Sequence, residues 1–198
     1  MKRTELRTKV VQQYARRIVR LYKAAPARVR NRECDWYEVE SDRLAVLALE
    51  LGLPLRAVCG AAAAISPGMR WDMVPEYVRA LHHDGATIVP TYSQEFTRRA
   101  VRCLRGEDPL AVLGGPKVRA FYALLESRGQ CDAVVIDGHA FNIARGLRQN
   151  LRKMEGAARV TPARYRIAEA AYRLAAERLD VAPHSVQAVT WIHWRAQS

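Results

Sequence analysis

The chain has 198 residues, 49% of them hydrophobic and 26% charged, and carries a formal net charge of +12. That balance excludes a disordered chain and suffices for one globular core, with room for an appendage. The longest small-and-apolar run, Ala57 to Ile65, falls far short of the roughly 20 apolar residues that cross a bilayer.

Apolar residues at helical spacing (Val10, Val11, Tyr14, Ile18, Leu21, Tyr22) predict a basic amphipathic helix over Thr4 to Lys23, ended by Ala25-Pro26. Ser41-Asp42 offers a cap for a helix through Leu44, Val46, Leu47 and Leu51, with Gly52 as its stop. Pro54 opens a helix from Leu55 to Ile65 whose small side chains suit close packing, and Ser66-Pro67-Gly68 breaks it. A helix resumes from Trp71 to Leu81, and another, rich in arginine on one side, runs from Thr91 to Leu104. Asp108-Pro109 begins a short helical turn that reaches Leu113 and stops at Gly114-Gly115. Pro116 suits the first position of the next helix, Lys117 to Glu126. Ala133 to Ile136 is a short apolar stretch ending in Asp137-Gly138, and His139 to Leu147 continues as helix. Gly156 to Thr161 reads as loop, Thr161-Pro162 opens a helix from Ala163 to Leu179, and Pro183 opens the last, through Trp194. With no useful strand alternation, the expected class is all-α. Residues 1–40 read as a basic N-terminal helix and connector, and residues 41–198 as the core.

The charge is unevenly placed. Residues 1–32 hold eleven Lys and Arg against Glu5, whereas residues 33–97 hold four basic and ten acidic residues. From Gly138 to Ala168, seven basic residues (Arg145, Arg148, Arg152, Lys153, Arg159, Arg164, Arg166) face only Glu155. A polyanion is drawn to both ends and repelled from the middle, and nucleic acid is the default partner for that pattern. Cys34, Cys59, Cys103 and Cys131 lie far apart, with no pair at metal-ligand spacing. Reduced thiols, no metal, no cofactor and a cytoplasmic location are therefore expected. The opening Met1-Lys2-Arg3-Thr4-Glu5 continues as a charged pattern, so no secretory signal is expected.

The chemistry-bearing stretch runs from Leu113 to Arg145, with Lys117 one residue into a helix and Asp137 twenty residues later at the head of the next. A lysine amine is a nucleophile only when unprotonated, a state that burial and a nearby helix N-terminus both favour. A carboxylate twenty residues on can hold the positive charge that develops on a sugar losing its base, and can move a proton from the amine. Plainer roles fit the same residues: Lys117 as a solvated first-turn lysine, Asp137 as a helix cap, and Trp36, Trp71, Trp191 and Trp194 as core. His82, His83 and His193 have no partner at ligand spacing.

Gly114-Gly115-Pro116-Lys117, then Ala133-Val134-Val135-Ile136-Asp137-Gly138-His139, resembles the helix-hairpin-helix base-excision DNA glycosylases, the superfamily of endonuclease III and the 8-oxoguanine DNA glycosylases. The likeness follows the chain from about residue 42 to 195. It takes in Ala64-Ile65-Ser66 before Trp71, Tyr92-Ser93 with the helix to Leu104, and the last two helices from Tyr165 to Arg195. It implies two helical lobes with the hairpin beside a central cleft. It further implies double-stranded DNA carrying a damaged or modified base as partner, and no cofactor. Lys117 and Asp137 become the catalytic pair of a glycosylase with lyase activity. Gly114, Gly115, His139 and Arg145 become DNA contacts, joined by Arg98 and Arg102 on the arginine-rich helix. Met69 and Arg70 stand where many members carry a glutamine that fills the gap left by a flipped base, and Met69 and Trp71 stand where a base pocket is lined. This hairpin is two residues shorter than the usual Leu-Pro-Gly-Val-Gly-x-Lys, and no cysteine cluster follows. A catalytically inactive DNA-binding relative and a helical adaptor that docks through Thr4 to Lys23 are the rival expectations.

Overall fold

The structure, a computed structural model, describes residues 3–85, 89–91, 93–149 and 160–197. Tyr92 and the expected loop and basic residues from 150 to 159 lie outside those residues. The described residues form α1 (Arg3–Ala24), α2 (Ala27–Glu33), α3 (Trp36–Leu51), α4 (Leu55–Ile65), a 3-10 turn (Trp71–Met73) and α5 (Val74–His83). They continue with α6 (Gln94–Leu104), α7 (Pro109–Val112), α8 (Gly115–Glu126), α9 (Gly138–Arg145), α10 (Pro162–Leu179) and α11 (Pro183–Ala196). Among the described residues there is no strand, and the protein is all-α. No single helix there is long and apolar enough to cross a membrane.

The chain divides into two compact units, a terminal one (Met1–Trp36 with Asp132–Ser198) and a central one (Tyr37–Cys131). This differs from the expected split into 1–40 and 41–198, and the reason is hydrophobic. Ala15 and Ile18 of α1 are fully buried in one cluster with Ala168, Ala171, Tyr172 and Ala175 of α10. The basic helix is thus a core element whose apolar side lies along the alanine face of α10.

In the central unit α4 is the hub. Every residue from Ala57 to Ile65 is buried, and α5, α6, α7 and α8 pack around it. A helix apolar on all sides belongs inside a domain. Gly60 faces α7 and α6 at close range: a Cβ there would lie 2.8 Å from Pro109 Cγ and 3.0 Å from Cys103 Sγ.

Three local expectations need correction. Ser41 caps nothing, because α3 starts five residues earlier at Trp36 and the buried Ser41 hydroxyl donates to the Leu125 carbonyl at 2.6 Å. The arginine-rich helix begins at Gln94 rather than Thr91, with Ser93 accepting from the Glu95 amide as its cap. The segment Ala27–Glu33, read as connector, is helix α2. There the Arg30 guanidinium donates to the Lys23 carbonyl at 3.3 Å and to the Ala25 carbonyl, closing the end of α1.

Candidate functional site

Lys117 and Asp137 fall on different units, and each is built by its own surroundings. In the central unit, Asp108 caps α7 through the Leu110 amide and pairs with Arg56 at 2.7 Å. The chain then turns at Leu113-Gly114 into α8. Gly115 has φ +74°, which L side chains rarely adopt, so glycine is required at the first position of α8. Gly114 leaves room for the Arg99 guanidinium, which would meet a Cβ there. The Leu113 carbonyl accepts from Arg119 Nε at 2.8 Å. No side chain caps α8, and Lys117, half-buried in its first turn, forms no hydrogen bond or ion pair among the described residues. A two-residue turn thus joins α7 to α8, and α8 starts two residues before Lys117.

In the terminal unit, Tyr165 positions the approach to Asp137. Its buried hydroxyl donates to the Val134 carbonyl at 2.8 Å and accepts from the Ile136 amide at 3.4 Å. Burial pushes this phenol up to about 12. The clamped apolar segment delivers Asp137 to the head of α9. Asp137 Oδ1 accepts from the Ala140 amide at 2.7 Å, and Oδ2 accepts from the Trp191 indole of α11 at 3.0 Å. Among the described residues no cation pairs with this carboxylate. The His139 ring meets Trp191 edge-on at 5.8 Å, and the Arg195 guanidinium lies 4.7 Å over the same indole. Beneath them the Tyr172 hydroxyl donates to the Ala140 carbonyl at 3.3 Å. Burial drives the Tyr172 phenol far up, and the Asp137 charge adds to that.

The other residues singled out from sequence are distributed as follows. Arg145, at the far end of α9, donates to Gln149 at 2.8 Å and lies over the Phe141 ring, while its carbonyl accepts from Arg17 at 2.5 Å. Arg70 is held by Asp72 and Arg102 by Glu107, both at the surface, so these two guanidiniums are already engaged. Arg98 is exposed, 3.9 Å from Glu95. Met69 is half-buried in the turn after α4. Trp71 donates its indole N–H to the buried Glu40 at 2.8 Å and packs edge-on against Phe121. None of the four tryptophans is a fully buried core residue. Trp71 and Trp191 each spend their N–H on a carboxylate, as a large amphipathic ring does at the edge of a core.

Two contributions had no sequence signal. Trp191 stands 54 residues from the carboxylate it binds, and Arg99 touches Gly114 from another helix. All four cysteines are free, and burial pushes Cys59 up to about 12 and Cys103 to about 11. The described residues hold no group of three or more His, Cys, Asp or Glu side chains that could bind a metal ion. A shallow depression of about 460 Å³ lies where α10 turns into α11, lined by Asp132, Arg173, Glu177 and Asp180 among others. Its three acids disfavour a nucleic-acid backbone.

The chain belongs to the DUF7178 family, a family of unknown function. The match covers residues 1–198. No curated protein and no solved structure matches the chain.

Proposed function

We propose that this protein is a DNA glycosylase with lyase activity of the helix-hairpin-helix kind, acting on double-stranded DNA that carries a damaged or modified base. Lys117 Nζ attacks C1′ of the nucleotide, and the C1′–N bond breaks with its electron pair leaving on the base, which takes up a proton. The amine loses its proton as the sugar ring opens, giving an imine to Lys117. Asp137 stabilises the positive charge on the sugar during base departure and receives the amine proton. The target base is flipped out of the duplex first, because its sugar is otherwise enclosed by the stack.

The observation that carries this reading is the setting of Asp137. Its carboxylate is fixed by two N–H donors, Ala140 and the Trp191 indole, and is not neutralised by a described cation. A preorganised, uncompensated anion is what a developing sugar cation needs. Lys117, without an ion pair among the described residues in the first turn of α8, and the glycine turn before it support the same reading. A second reading, an inactive DNA-binding relative, is favoured by those same two donors, since a cap and an indole anchor already give Asp137 a structural task.

Borohydride trapping separates them. On the right member of a panel of lesion-bearing duplexes, the wild-type protein forms a covalent adduct and Lys117→Gln forms none while still binding DNA. Asp137→Asn still caps α9, because asparagine caps about as well as aspartate, yet turnover drops by orders of magnitude. Trapping that survives Lys117→Gln overturns the assignment. Tight binding with no adduct on any lesion selects the inactive relative.

A further inference from the structure

The two units differ in charge. The terminal unit carries 21 basic and nine acidic residues and the central unit 11 of each, so the whole net charge of +12 belongs to the terminal unit. In the central unit eight of ten arginines form ion pairs, for example Arg79 with Glu50 and Arg128 with Asp42. On α1 the situation is reversed. Lys9, Gln13, Arg16, Arg20 and Lys23 are all exposed. At 3.6 residues per turn they fall within about a quarter of the helix circumference. The side chains of Arg16, Arg20 and Lys23 form no hydrogen bond or ion pair among the described residues. The nearest acid on this line is Glu5, one turn before Lys9.

We propose that this outer face of α1 is a docking surface for the phosphate backbone of duplex DNA, engaged by Arg16, Arg20 and Lys23. Charge complementarity fits the duplex: at 1.5 Å per residue these three cations span about 10 Å, over which a duplex presents about six phosphate charges. The helix is anchored to its own unit. Its inner side is buried in the core, Arg17 is tied to the Arg145 carbonyl, and Arg30 closes its last turn. A membrane is the poorer occupant. A helix that lies in a lipid surface must insert its apolar face, and here Ala15 and Ile18 on that face are fully buried against α10. The inference rests on the DNA reading above but not on its chemistry.

The test is a salt titration of binding to an undamaged duplex, comparing wild type with Arg16→Gln/Arg20→Gln/Lys23→Gln. Arg56→Gln/Arg79→Gln/Arg128→Gln removes the same charge from the central unit and serves as control. The slope of log K against log salt falls by about 2 to 3 in the α1 variant, and affinity in about 0.1 M salt falls at least about tenfold, while the control keeps the wild-type slope. Gln13→Lys adds a cation to the same line and steepens the slope by about one, a gain that misfolding cannot imitate. Equal slopes in wild type and both α1 variants overturn the surface, as does an equal loss in the control. So does binding to phosphatidylserine vesicles that is lost in the α1 variant while its duplex slope stays unchanged. A wild type that binds no duplex overturns surface and glycosylase together. A reduced slope with no trapped adduct on any lesion leaves the surface standing and removes the glycosylase.

Discussion

The central unit balances its charges within itself, whereas the terminal unit carries the whole net positive charge. In the former, arginines and carboxylates cancel across the surface and α4 buries an almost featureless wall of Ala, Gly and Cys. In the latter, Phe141, Tyr165, Tyr172 and Ile18 pack among seven buried alanines, and the tyrosine hydroxyls bond to the backbone around Asp137. Close packing of small residues brings helices together with little adjustable volume. Large aromatic side chains with polar tips instead hold a chosen backbone segment in place. The difference teaches that net charge and candidate chemistry are divided differently: the central unit balances its charges internally yet carries Lys117, while the terminal unit holds the net positive charge and the fixed Asp137 carboxylate.

The largest expected effects test that contrast in the cores. Ile18→Ala leaves a cavity between α1 and α10, and the terminal unit loses about 3 kcal/mol, read as a lower denaturation midpoint. In the central unit the sensitive change is the opposite one. Gly60→Ala gains about 1 kcal/mol of helix propensity, but the new methyl would sit 2.8 Å from Pro109. Overpacking of that kind costs about 1 to 3 kcal/mol, so the variant is destabilised overall. A Gly60→Ala protein that melts higher than wild type shows that α7 gives way freely and that the central core is not tight.

Much of this was legible in the chain order. Pro54, Pro183, Thr161 and Asp137 mark helix starts because caps and first-turn prolines act locally, and their helices begin where those residues stand. Ser41 misled for an equally physical reason: a serine that could cap is also a serine that can donate across the core, and the Leu125 carbonyl claimed it. The unit boundary was hidden because α1 is the most basic segment yet has its partner more than a hundred residues away in α10. Of the candidate site, the positions of Lys117 and Asp137 at the heads of their helices could be read from glycine, proline and cap signals. The indole that holds Asp137 could not, because nothing local in either segment ties Trp191 to residue 137.

Alkaline unfolding sharpens the comparison further. Burial raises Cys59 to about 12 and Cys103 to about 11 from an ordinary 9.0, both in the central unit. In the terminal unit burial raises Tyr165 to about 12 from 10.0. A group whose folded value lies above its unfolded value contributes stability that is whole below the unfolded value and is lost as pH rises through the folded one. Cys59 and Cys103 therefore cost the central unit stability above about pH 9; in the terminal unit the Cys34 thiol, also pushed up by burial, acts from the same pH, and Tyr165 adds its loss above about pH 10. Denaturant midpoints measured across that range should decline early in the wild type. In Cys59→Ala/Cys103→Ala the central unit's decline should begin about one pH unit later, and an unchanged onset would mean the thiols are not the cause.

The smallest effect compares how each unit holds a carboxylate. Asp137 is held by neutral donors, Ala140 N–H and the Trp191 indole, whereas Glu107 is held by the Arg102 guanidinium at the surface, which keeps its carboxyl below the ordinary range. A bond between a carboxylate and an uncharged N–H has little long-range charge attraction for salt to screen, but an exposed ion pair does. Two double-mutant cycles, read as denaturation midpoints at low and high salt, make the distinction. Asp137→Asn with Trp191→Phe should show a coupling of about 1 kcal/mol that persists in high salt. Arg102→Gln with Glu107→Gln should show a smaller coupling that vanishes there. Asparagine preserves the cap on α9 but can offer the indole an amide N–H in place of Oδ2, so the first cycle isolates the indole bond from the cap. If Trp191→Phe slows turnover on a lesion duplex while the protein stays folded, Trp191 is a positioning residue for Asp137. If the coupling is absent, the indole merely packs beside the carboxylate, and the fixed anion on which the glycosylase reading leans is no longer fixed.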